Sequence, residues 1–135
     1  LETVKLLIDS NANLDLVDND GTSALMRSCM YSNTDSNIET VKLLIDSNAN
    51  VDLRDNYGKS ALMYYIKNSN NIDKELLEIL IYKSSKTITL KNNKNKTAYD
   101  YYISKNINIL DDYFLRLLHG EISLANTKSA RNKNW

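Results

Sequence analysis

Residues 1–37 lie over residues 38–74 without a gap, and the two stretches are identical at 23 of 37 positions. Chance does not produce such agreement, so the chain is expected to repeat one structural unit with a period of 37 residues. A weaker third copy follows. LLEILIYKSS (76–85) matches TVKLLIDSNA (3–12), and KNNKNKTAYDYY (91–102) matches VDNDGTSALMRS (17–28), with one residue inserted between the blocks. A unit this short cannot bury its own apolar stripe, so stability has to come from stacking each copy on the next.

Periodicity changes within the unit. Val4, Leu7 and Ile8 are spaced as one face of a short helix, as are Val41, Leu44 and Ile45, and Leu77, Leu80 and Ile81. NANLDLVDNDG then alternates at Leu14 and Leu16 before a run of turn residues, which reads as a short extended arm leading into a turn. Ser23, Ser60 and Thr97 each precede a second helical stretch, where a hydroxyl can accept the unpaired amides of the first turn. Ser36 with Glu39 reads as a capping box, and Asp73 as the cap of the corresponding helix one unit later. ILDDYFLRLL (109–118) reads as a last helix, with acids early and Arg116 late to suit its dipole.

The pattern D-x-x-G-x-[ST]-x-L at Asp18–Leu25 and Asp55–Leu62, followed by V-K-L-L-I at Val41–Ile45 and N-A-N-h-D at Asn48–Asp52, resembles the ankyrin repeat. The resemblance implies an all-α fold: a helix-loop-helix repeat solenoid with short hairpin-like arms over residues 1–118. It divides into a partial repeat 1–13, repeats 14–50, 51–87 and 88–118, and a tail 119–135. Departures are visible. The family's Thr-Pro-Leu-His becomes Ser-Ala-Leu-Met twice and Thr-Ala-Tyr-Asp once, so the histidine and its hydrogen bonds are missing. Ala in place of the proline costs little, being the best helix former. Asn11 and Asn48 replace the glycine that ends the second helix, and Asn95 stands where Gly21 and Gly58 stand. The period exceeds the family's usual ~33 residues, with the extra residues in YSNTDSN and NSNNIDK between helices.

Composition fits a chain with many turns and little turn chemistry. There is no proline, three glycines and 19 asparagines. Asn and Asp are the non-glycine residues that best tolerate left-handed backbone. The Asn-, Lys-, Ile- and Tyr-rich, proline-free usage is similar to that of ankyrin proteins of large DNA viruses and of some AT-rich intracellular organisms. Leu, Ile, Val and Phe make up 36 of 135 residues, enough for a core. The single cysteine excludes an internal disulfide, and no secretion signal is visible, which fits an intracellular, cytoplasmic protein (host cytoplasm if viral). The chain opens at Leu1 inside a unit and reads as a piece of something longer. Seventeen basic residues balance seventeen acidic ones, unlike the basic surplus of a nucleic-acid binder. No apolar run reaches the ~20 residues of a membrane span.

The inventory for catalysis is thin. His119 reads as a capping or surface residue at a helix end, and Cys29 as a small buried apolar one. They lie on different units and no third group orients them as a nucleophile pair. Asp18-Asn19-Asp20-Gly21 invites a calcium-loop reading that fails, because residue 16 is Leu and residue 27 is Arg where acidic ligands are needed. Asn95-Lys96-Thr97 is a glycosylation sequon at a helix start, without a secretion signal. Lys128, Arg131 and Lys133 form a basic tail, and Ile122, Leu124 and Trp135 are apolar candidates for a contact outside this segment. No cofactor, metal or catalytic site is expected.

What remains is surface. By the ankyrin resemblance, partners are gripped by the arm tips and the exposed positions of first helices. This nominates Val17, Asn19, Asp20, Thr22 and Arg27 in the first unit, Arg54, Asn56, Tyr57, Lys59 and Tyr64 in the next, and Asn93, Lys94, Lys96 and Tyr101 in the third. The two strong copies point the same way: they keep Asp, Asn, Gly, Ser, Ala and Leu but differ at 17/54, 20/57, 22/59 and 27/64. Tyr and Arg are enriched at interface hot spots. Tyr64-Tyr65 and Tyr101-Tyr102 fit packing between repeats equally well. The expectation is a monomeric, non-catalytic protein-protein interaction module. The alternative is a structural spacer within a longer array, favoured if the differing positions are scattered or buried.

Overall fold

The computed structural model describes residues 2–123, with side chains from residue 5 onward except at 35 and 36. Among the described residues seven helices follow one another: α1 (Glu2–Asp9), α2 (Ala24–Met30), α3 (Asp35–Asp46), α4 (Ala61–Asn68), α5 (Lys74–Lys83), α6 (Ala98–Ser104) and α7 (Asp112–His119). No strand occurs among the described residues. Each of the first two arms closes with a single antiparallel bridge, Val17 to Ser23 and Arg54 to Ser60. Helices pair as α2 with α3, α4 with α5 and α6 with α7, while α2 packs on α4 and α4 on α6 to form one layer. In the second layer α5 packs on α7. This is an all-α helix-loop-helix solenoid. Among the described residues no helix is long and apolar enough to cross a membrane.

Local chemistry sets the helix starts. Ser23, Ser60 and Thr97 accept the amides of Met26, Met63 and Asp100 at 3.2, 3.3 and 3.2 Å. Asp73 caps α5 through the Leu76 amide at 3.0 Å. Two expectations are corrected. Thr34, not Ser36, caps α3, accepting from the Asn37 amide at 3.2 Å, so Ser36 lies inside the helix and not at its cap. The last helix begins at Asp112 rather than residue 109, because Ile109 and Leu110 donate their amides to the Tyr102 hydroxyl, both at 3.1 Å, and Asp111 takes the cap.

The helix ends use asparagine as read. Asn11 and Asn48 are left-handed (φ 58° and 66°), and Ala12 and Ala49 donate back to Leu7 and Leu44 at 2.9 and 3.0 Å, the wrap that satisfies terminal carbonyls. The core runs without a break along the stack, through Leu25, Met26, Val41, Leu44, Leu62, Tyr65, Leu77, Leu80, Phe114 and Leu117. Cys29 is fully buried in it, and desolvation pushes its thiol pKa far up. Ile122 is half-buried against the core, whereas Leu124, Trp135 and the basic tail lie outside the described residues.

Candidate functional site

The three arm tips carry the same turn. Gly21 and Gly58 donate to Asp18 and Asp55 at 3.0 and 2.9 Å, and Asn95 to Asn92 at 2.9 Å, each from a left-handed residue (φ 78°, 74° and 62°). A β-carbon on Gly21 would sit 2.8 Å from the Asn56 side chain and 3.2 Å from Asp55 Cα, and one on Gly58 would sit 3.1 Å from Asn92 Cα. Glycine is thus required where the next tip presses against the turn. Asn95 belongs to the third tip, over which no further tip lies among the described residues, so the non-glycine residue fits.

One side-chain oxygen at the head of each turn gathers its amides. Asp18 Oδ1 accepts from Asp20 and Thr22, Asp55 Oδ1 from Tyr57 and Lys59, and Asn92 Oδ1 from Lys94 and Lys96, at 2.9–3.1 Å. The other side-chain atom then reaches a residue nine positions on. Arg27 donates to Asp18 Oδ2 at 2.9 Å and the Tyr64 hydroxyl donates to Asp55 Oδ2. Asn92 Nδ2 donates to the Tyr101 hydroxyl at 2.7 Å. The amide bonds, with Arg27 beside it, hold the Asp18 carboxyl below its usual range, while burial and then the Asp55 bond push the Tyr64 phenol up. This latch ties each tip to the helix that follows it.

The nominated residues fall in different settings. Tyr64 and Thr22 are both buried at 7% exposure, and Tyr101 is half-buried, so they fix the scaffold rather than face outward. Arg27 is exposed but spoken for by Asp18. Arg54 is half-buried and staples two tips, donating to Gly58 O at 2.9 Å and Lys91 O at 2.5 Å. Of the tyrosine pairs, Tyr65 and Tyr102 are buried and hold the following loops, Tyr65 by accepting the Asp73 amide at 2.8 Å.

Successive tips are tied by asparagine. Asn56 donates its amides to Asp20 O and Asn19 O at 2.9 and 3.0 Å, and Asn93 to Tyr57 O and Asn56 O at 2.9 and 3.3 Å. On the inter-helix loops Asn70 donates its backbone amide to Asn33 Oδ1 at 2.8 Å. The residues left projecting from this rigid row are Val17, Asp20, Tyr57, Lys94 and Lys96, with Lys59 half-buried among them and Val17 and Tyr57 at 51% and 56% exposure. Asn19, Asn56 and Asn93 are exposed but serve the ladder. Sequence reasoning missed the latch. Its signal was the paired change, an acceptor at 18, 55 and 92 matched by a polar partner at 27, 64 and 101.

Elsewhere, His119 stacks on Tyr99 with ring centroids 4.0 Å apart and contacts Glu121 at 3.1 Å, a helix-end role. Among the described residues no group of His, Cys, Asp and Glu could hold a metal ion. Comparison with curated proteins gives no match. The family described as ankyrin repeats, in three copies, matches residues 1–92. Such repeats are in general protein-protein interaction modules and typically non-catalytic. On helix pairing, tip geometry and this match, the chain belongs to the ankyrin-repeat family.

Proposed function

We propose that this chain is a protein-recognition module whose partner lies along the row of arm tips, against Val17, Asp20, Tyr57, Lys59, Lys94 and Lys96. It acts as a monomeric, non-catalytic surface in the cytoplasm, built from units 14–50, 51–87 and 88–118. The observation that carries this reading is Tyr57, a large aromatic 56% exposed on a tip whose backbone is bonded on both sides. An anchor held rigid before binding loses little freedom on association. The locked side chains of Arg27, Arg54 and Tyr64 favour a second reading, a spacer in which the differing positions serve folding alone.

Affinity capture with the full-length chain, followed by mass spectrometry, separates the two. Under recognition, a Tyr57→Ala protein melts like the parent but no longer retains the captured protein. A Tyr57→Ala protein that retains it fully removes the tip row as the site.

A further inference from the structure

Charge is distributed unevenly along this face. The second and third units carry three ammonium groups: Lys59 on the second tip, Lys67 in the last turn of α4 and Lys94 on the third tip. Lys59 Nζ stands 5.3 Å from the centre of the Tyr64 ring, and Lys67 Nζ stands 5.8 Å from that of Tyr101. The latch described above fixes both rings, so the scaffold holds the lysines over aromatic faces. Among the described residues none of the three has a carboxylate within ion-pair distance, whereas Arg27 in the first unit does. The first unit carries Thr22, Met30 and Asp20 at the corresponding positions, so the surplus is local in a chain of zero net charge.

Crowding of like charge is unfavourable, and an anion laid across it relieves the repulsion. The Lys59 pKa registers the crowding: partial burial lowers it most, then the charges of Lys67 and Lys94. An exposed aromatic, Tyr57, sits at the same tip as Lys59. Resting on the recognition reading above, we infer that the Lys59, Lys67 and Lys94 cluster, backed by the Tyr64 and Tyr101 rings, docks an acidic Asp- and Glu-bearing segment of the partner protein. A peptide fits better than a nucleic acid. The cluster is a spot of three lysines in a chain of zero net charge, not a basic stripe.

The test uses fluorescence anisotropy on the full chain with three labelled probes: a short Glu- and Asp-rich peptide containing Leu and Tyr, its Lys-substituted counterpart, and a single-stranded oligothymidine. The triple variant Lys59→Gln, Lys67→Gln, Lys94→Gln is compared with Lys74→Gln, Lys83→Gln, Lys86→Gln, which removes equal charge from exposed positions on and just after α5. The expected result is acidic-peptide binding that falls about ten-fold or more in the first triple variant and stays within about two-fold in the second, with melting unchanged in both. No binding of the acidic peptide by the parent, equal loss in both triple variants, or tighter binding of the oligothymidine overturns the inference. If Tyr57→Ala abolishes capture of the partner while the first triple variant captures it normally, the recognition face stands and the acidic partner falls.

Discussion

Leu7 and Leu44 occupy the same place in two copies of ETVKLLIDSNAN, yet Leu7 is 51% exposed and Leu44 is 1% exposed. The difference lies in the surroundings of each copy: Leu44 joins the continuous core and Leu7 does not. The same substitution should therefore have different consequences. Leu44→Ala is expected to cost about 2–5 kcal/mol, because a cavity opens in a core that cannot collapse locally. Leu7→Ala should cost about 1 kcal/mol or less, since half of that side chain is already in water. Denaturant unfolding of both variants checks this, and equal losses would contradict this difference in burial.

Tyr64 and Asp55 carry the second prediction. Tyr64→Phe keeps the ring and removes only the hydroxyl that donates to Asp55, so about 0.5–1.5 kcal/mol is expected to be lost. Asp55→Ala orphans the amides of Tyr57 and Lys59 as well and should cost more, about 1–3 kcal/mol. Asp55→Asn should fall close to Tyr64→Phe, because Asn92 shows that an amide can serve the same turn. Thermal melts of the three variants give the order, and an Asp55→Asn protein as weak as Asp55→Ala would refute it.

The caps at Ser23, Ser60, Thr97 and Asp73, the left-handed Asn11 and Asn48, and the helix stripes were legible because each depends on neighbours within a few residues. The buried state of Thr22 was not, and packing of Tyr64 stood as one of two equal readings. A tip residue looks solvent-facing until its partner nine residues away in sequence, or a whole repeat away, is brought to it. The Asn ladder was legible only as an excess of asparagine: turns explain Asn11, Asn48 and Asn95, but Asn56 and Asn93 bond across the repeat period. The Leu7 and Leu44 contrast is invisible to local pattern altogether, since the two sequences are the same.

Gly21 and Asn95 test the packing of one tip on the next. Gly21→Ala places a methyl group 2.8 Å from the Asn56 side chain at φ 78°, so both strain and contact oppose it. A loss of about 1–3 kcal/mol is expected. Asn95→Gly at the third tip relieves a milder left-handed strain and should change stability by about 0.5 kcal/mol or less. Denaturation midpoints decide, and a Gly21→Ala protein as stable as the parent would mean the first two tips do not press together.

Acid should loosen the solenoid through Asp18 and Asp100, whose carboxyls are both held below the ordinary 3.8. For Asp18 the chief cause is the Thr22 amide, followed by Arg27; for Asp100 it is the Thr97 amide, in the capping box of α6. A pKa lowered on folding means that the unfolded chain binds protons first. The stabilisation is therefore whole above the unfolded value and is lost as pH falls through the folded one. The melting temperature should stay level with respect to these two groups above about pH 5 and decline below about pH 4. A double Asp18→Asn, Asp100→Asn variant should start lower at neutral pH and show a shallower acid decline. Melting curves across that range check the sign. A variant with the parent's full acid slope would place the acid sensitivity in other carboxylates.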